Sequence, residues 1–386
     1  MPSSDLVLIT GATGFIGGRL VEFLASKGKR IRITTSDFAH CPRIARFRVD
    51  MVKADLRQPA GFEKAVEGCD TVFHLAYRFG GGPREQRNVN LNGTLALARA
   101  AMRQRVRRFV HFSSVAAYGI PIAGDLTECT KPRRTSDLYS LTKRKIDEAL
   151  RDLSRSAKLP LTILQPTIVY GPYGNTWTVR LLEQVKAGQI ALPRNGRGLC
   201  NAVYVDDVVR AAILCMNADT ARGETFLISG SSPVTWRDFY GGYEKMAHTD
   251  AVVELSDTEF NAAVKRYDAE LRFMSRIKRT LARRPELRAQ LLNLPPQRWI
   301  IRAARILLPS SARRDLDRRY KAIWQRADAE KCSLFIPDPD SRSLYAAKTS
   351  VRIDKASEIL GYCPKFDFER GMNLTRTWAH WANIIS

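Results

Sequence analysis

The sequence predicts a doubly wound α/β protein, a parallel sheet with helices on both faces, followed by a smaller and interleaved lobe. Three observations carry that expectation. An apolar run, Leu6-Val7-Leu8-Ile9, leads into glycines at Gly11, Gly14 and Gly17, and an amphipathic segment with Leu20, Val21, Phe23 and Leu24 follows. Strand-like and helix-like segments then alternate at the spacing of parallel βαβ units. Finally, 386 residues at 45% hydrophobic and 26% charged are ordinary for a globular chain, too long for one core and comfortable for two lobes.

The opening stretch reads as a buried strand, a tight turn and a helix start. Glycine there allows backbone that a Cβ forbids and lets the main chain approach a pyrophosphate. The free N–H groups and the helix dipole favour the phosphate charge. Arg30–Thr34 is the second expected strand and Val49–Lys53 the third, ending in Asp55-Leu56. A short helix at Phe62–Val66 leads to a fourth strand, Asp70–Leu75. A helix follows at Asn88–Arg103, then a fifth strand at Arg107–Phe112, ending in Ser113-Ser114. The next helix is Asp137–Leu153 and the next strand Leu161–Leu164. Ligands of such sheets lie beyond the carboxyl ends of the strands, and Gly11, Thr35, Asp55, Ala76 and Ser114 all fall at such ends.

Nine motifs come in order. They are Gly11-xx-Gly14-xx-Gly17, Asp55-Leu56, His74-Leu75-Ala76, Asn90-xx-Gly93-Thr94, Ser113 through Gly119, Tyr139-xxx-Lys143, Gln165 through Pro172, Tyr204-Val205-Asp206-Asp207-Val208-Val209 and Pro233-Val234-Thr235-Trp236. Together they resemble the extended short-chain dehydrogenases/reductases, the NAD-dependent epimerase/dehydratase family, over residues 5–240 and again near Tyr345 to Tyr362. The resemblance implies a Rossmann domain over residues 1–170 and a substrate lobe over 171–386, with parts near 200–230 returning to the sheet. It places a dinucleotide against Gly11, Thr13, Gly14, Phe15, Ile16, Gly17, Thr35, Asp55, Leu56, Leu75, Ala76, Tyr139, Lys143 and Pro166. It also implies a homodimer built on the helices at Asn88–Arg103 and Asp137–Leu153.

Tyr139 and Lys143 lie four apart on an expected helix and share a face. A phenol titrates near 10, too high for a base at neutral pH; a neighbouring ammonium and a cationic nicotinamide are expected to lower it. In the family motif the tyrosine is the acid/base, the lysine activates it and holds the ribose, and a serine four residues before Tyr118 anchors the reacting oxygen. That selects Ser114 over Ser113. Asn90 is expected to prop the strand ends, and His74 and Cys200 to pack.

An NAD enzyme usually ends its second strand in an acid that binds the ribose 2′-hydroxyl. Here that position is Thr35, with Asp37 two residues on and Arg43, Arg46 and Arg48 close by. The cofactor is therefore NAD or NADP, with NADP favoured. Val115 and Ala116 stand where sugar dehydratases of the family carry an acidic pair, which disfavours 4,6-dehydration. Cys200 or Asn201 fills the slot of the arginine that meets a nucleotide-sugar diphosphate, although Arg194 and Arg197 are near. Asn201 resembles the branch containing sterol-type and aldehyde or ketone reductases. Hydride transfer at a secondary alcohol or ketone and epimerisation through a keto intermediate both stay open. The rival class is a non-catalytic NAD(P)-binding scaffold or sensor.

The formal charge is +23, which suggests an anionic partner. From Lys265 to Lys331 there are nineteen Lys and Arg against seven Asp and Glu, inside an atypical insert over 256–331 that reads as helical. Within it Gln297–Leu308 sets Arg298, Arg302 and Arg305 beside Trp299, Ile300, Ile301, Ile306, Leu307 and Leu308, the pattern of a helix on an anionic membrane surface. Nucleic acid is disfavoured, since aromatic interleaving is sparse. No apolar run reaches a membrane span. Seven scattered cysteines without a paired spacing predict reduced thiols and no metal site. With the first strand starting at Leu6, no signal peptide is expected, and the location is cytoplasmic or peripheral to a membrane.

Overall fold

The computed structural model describes residues 5–120, 123–283 and 334–385. Seven parallel strands form the central sheet, in the spatial order Thr225–Ile228, Leu161–Pro166, Arg108–Phe112, Thr71–His74, Leu6–Thr10, Arg30–Thr35 and Val49–Lys53. The strand Leu6–Thr10 is buried along its whole length, as a strand covered by helices on both faces must be. The order reverses at its border with Thr71–His74, and the chain end of that border opens the crevice where such sheets take ligands.

Two apolar layers close the faces. One joins Leu8, Phe62, Val72, Leu97, Phe109, Ile146 and Leu161 under the helices Pro83–Arg103 and Leu138–Ala157. The other runs from Val7, Ile9 and Leu20 into the second lobe, through Tyr170, Trp236, Phe239 and Tyr243. The lobes therefore share one core, and the seventh strand, Thr225–Ile228, comes from beyond residue 200.

Local chemistry sets the boundaries. The helix Pro83–Arg103 begins five residues before the expected Asn88, because Gly82 and Pro83 supply an extended entry and a proline in the first turn. Asp137 caps Leu138–Ala157 by accepting from the Ser140 amide at 2.8 Å. The short strand Ala123–Leu126 pairs in parallel with Lys348–Val351, more than two hundred residues later. The basic insert starts as a helix, Asp257–Arg283; Gln297–Leu308 lies outside the described residues. Among the described residues no helix is long and apolar enough to cross a membrane, and no group of three His, Cys, Asp or Glu could hold a metal.

Candidate active site

The site begins where Leu6–Thr10 ends. Gly11 has φ +69°, and a Cβ there would stand 2.7 Å from the Ala76 amide nitrogen. A Cβ on Gly17 would strike the Gly11 carbonyl oxygen. Only glycine satisfies both the left-handed turn and the close helix–strand approach. The helix Phe15–Ser26 then starts at Gly14 with no side-chain cap and no acid in its first turn. Its first N–H groups and positive end are left for an anion, so these residues fit the pyrophosphate of a dinucleotide.

The adjacent strand end is locked to this turn. Thr10 Oγ1 lies 2.7 Å from His74 Nδ1 and accepts from the Ala76 amide at 3.2 Å, while His74 Nε2 lies 2.8 Å from Thr94 Oγ1. A neutral imidazole donates from one ring nitrogen and accepts at the other, so His74 ties Thr10 to Thr94 by one proton given and one received. Burial holds the His74 pKa down to about 3, which keeps that pattern at neutral pH. Asn90 brackets the next segment, accepting from the Arg78 amide at 2.8 Å and donating to the Arg78 and Gln86 carbonyls at 2.9 and 2.8 Å.

Along the same edge, Thr35 ends its strand and donates to the Asp37 carbonyl at 2.7 Å, and the Asp37 carboxylate accepts from the Ala39 amide. Arg43 and Arg46 share Glu22, each at 2.9 Å, and Arg43 lies over the Tyr173 ring at 3.8 Å. Asp55 is held by Arg57, which keeps its carboxyl below the usual carboxylate range. Leu56 is buried against Gly93. Pro166 closes the strand on the far side.

Ser114 starts the turn Val115–Tyr118 after the strand Arg108–Phe112, accepting from the Ala116 amide at 3.2 Å. Tyr139, one residue into its helix, is brought within hydrogen-bonding reach of the Ser114 hydroxyl. Lys143 follows one turn later, buried, with Nζ donating to the Phe112 carbonyl at 2.8 Å and lying 4.9 Å above the Tyr77 ring. Burial pushes Tyr139 up to about 12, with only the Ser114 contact opposing it. Lys143 Nζ stands 5.9 Å from the Tyr139 ring centre. Burial also lowers Lys143 to about 8.

Beneath Lys143 lies a network the sequence reading missed. Asp147, one further turn along the helix, accepts from Ser113 Oγ at 2.7 Å and Gln165 Nε2 at 2.9 Å. Gln165 Oε1 accepts from the Tyr118 hydroxyl at 3.1 Å. The other Asp147 oxygen lies 3.6 Å from His111 Nε2. Burial raises Asp147 to about 6 and drives His111 well below its usual value. The four-residue spacing from Lys143 was a legible signal for Asp147; the strand partners were not.

The profile of the NAD dependent epimerase/dehydratase family matches residues 7–229. This chain belongs to that family. Among curated relatives, the uncharacterized protein YbjS of Escherichia coli is 29% identical over 212 residues, 53% of this chain and 63% of YbjS. Sterol demethylase protein B of Methylococcus capsulatus is 31% identical over 234 residues, 58% of this chain and 69% of the relative. The chain thus spans a little under two thirds of YbjS. Among solved structures, the UDP-glucose 4-epimerase of Thermotoga maritima, crystallised with UDP-glucose, superposes with a TM-score of 0.67 at 19% identity, covering 98% of this chain and 99% of that one. The structural likeness, at 19% identity, shows a shared fold.

Proposed function

We propose that this protein moves a hydride between a nicotinamide dinucleotide and the carbinol or carbonyl carbon of a small molecule, with ketone reduction its working direction. The observation that carries this reading is the meeting of Ser114, Tyr139 and Lys143 beside the glycine turn at one sheet edge. The bound nicotinamide supplies or accepts the hydride. Ser114 Oγ donates to the reacting oxygen and fixes it beside the phenol. Tyr139, protonated at neutral pH, gives its proton to that oxygen as the carbonyl becomes an alcohol. Lys143 brings positive charge under the phenol and reaches the ribose, releasing the Phe112 carbonyl.

NADPH is the preferred form in this reading. Thr35 presents no carboxylate against a 2′-phosphate, and Arg43 and Arg46 set two guanidiniums against the single carboxylate of Glu22. Val115 and Ala116 leave the turn after Ser114 without an acid, so sugar dehydration is not part of the proposal. Steady-state turnover and cofactor fluorescence test the assignment. Tyr139→Phe should reduce kcat by about two to four orders of magnitude with the cofactor Kd unchanged, and NADPH should bind more tightly than NADH. Undiminished turnover sinks the assignment. A cofactor that survives purification and is never exchanged moves the reading to epimerisation.

A further inference from the structure

We propose that Phe79 determines the specificity of this site, as an aromatic platform for a flat, apolar ring next to the reacting carbonyl. The proposal rests on the hydride-transfer reading and names its substrate class. Phe79 is 70% exposed, yet it is not a loose surface residue. Its ring stacks on Tyr139 at 5.8 Å with 19° between the planes, and it lies 4.8 Å from Tyr77. The preceding peptide is clamped by Asn90. The following Gly80 and Gly81 take φ of +87° and +83°, a path that turns the chain away at once and leaves the outer face of the phenyl uncovered by its own loop.

An apolar ring held against the proton donor with its other face open is a surface that a ligand ring can cover. The residues that follow Ser114 directly, Val115 and Ala116, are apolar and partly buried. Neither residue at the place expected of a diphosphate-binding cation is charged: Cys200 is fully buried, and the Asn201 amide donates to the Thr349 carbonyl at 2.8 Å and accepts from the Val351 amide at 2.9 Å. A ring-bearing ketone satisfies these walls; a nucleotide sugar, with its charge and its many hydroxyls, leaves polar groups facing phenyl and methyl.

The test uses the full chain with its preferred reduced cofactor and four probes: 4-chromanone, acetophenone, 2-butanone and UDP-galactose. The expected result is a higher kcat/KM for the two aromatic ketones than for 2-butanone, and no conversion of UDP-galactose. Phe79→Ala should lower kcat/KM for 4-chromanone by about tenfold or more through KM, a larger factor than its loss on 2-butanone, with the cofactor Kd changed less than about twofold. Phe79→Trp should restore the preference. Because Phe79 is exposed, the variant keeps its fold, which far-ultraviolet circular dichroism checks. Equal losses on all ketones, no preference for rings, no ketone turnover with cofactor bound, or conversion of UDP-galactose each overturns the inference. Turnover that survives Tyr139→Phe instead overturns the hydride-transfer reading beneath it.

Discussion

Three buried side chains around Lys143 give the protein a defined response to acid. His74 is held down to about 3 and His111 well below its ordinary value, both by burial. As pH falls below about 6.5 the unfolded chain takes up those two protons and the native chain does not, so stability is lost toward acid. Asp147 acts in the opposite sense. Its carboxyl, raised to about 6, binds a proton in the native state before the unfolded value of about 3.9 is reached, which adds stability as pH falls. Between about pH 6 and 5 these three groups together leave a difference of about one proton, on the order of 1.4 kcal/mol per pH unit. Asp147→Asn removes the compensation and should bring the slope to about 2.7 kcal/mol per unit, read from urea unfolding at the two pH values. At this scale the sequence showed residue types but not burial. The family motif pointed to Ser114, Tyr139 and Lys143, while the bond from Lys143 to the Phe112 carbonyl was not visible in the sequence.

The helix Leu138–Ala157 carries Tyr139, Lys143 and Asp147 of the proposed site at four-residue intervals, and its first turn fixes where they point. Asp137 accepts from both the amide and the hydroxyl of Ser140, at 2.8 and 2.7 Å. Asp137→Ala should cost about 1 kcal/mol of stability, measured by urea unfolding, and should lower kcat because Tyr139 sits in the turn that frays. This element was legible almost whole: the acid cap, the four-residue repeat and the apolar stripe are all local signals. The helix Pro83–Arg103 was half legible. Its Pro-Arg-Glu-Gln start reads as a polar loop, and only Gly82 with Pro83 in the first turn shows otherwise. The pairing of Ala123–Leu126 with Lys348–Val351 was not legible, because neither segment is longer than four residues and no local pattern links them.

At the scale of the molecule, the seven-stranded sheet followed from alternation of strand and helix, while its seventh strand arrives only after the chain has crossed the second lobe. A small cluster joins these distant pieces below the Ser114 turn. Tyr118, Leu126 and Leu227 are buried together, with Val115 and Val351 against them. Leu126→Ala should cost about 2–5 kcal/mol by urea unfolding and lower kcat more than it weakens cofactor binding, since the glycine turn packs elsewhere.

That cluster also sets an order in time. Synthesis delivers the glycine turn first, then Ser114 and Tyr139, and the strand Lys348–Val351 that closes over Ala123–Leu126 only long afterwards. A growing chain can therefore fold a dinucleotide cradle well before it owns a finished reaction centre. The two strands that meet in this pairing are separated by more than two hundred residues of translation.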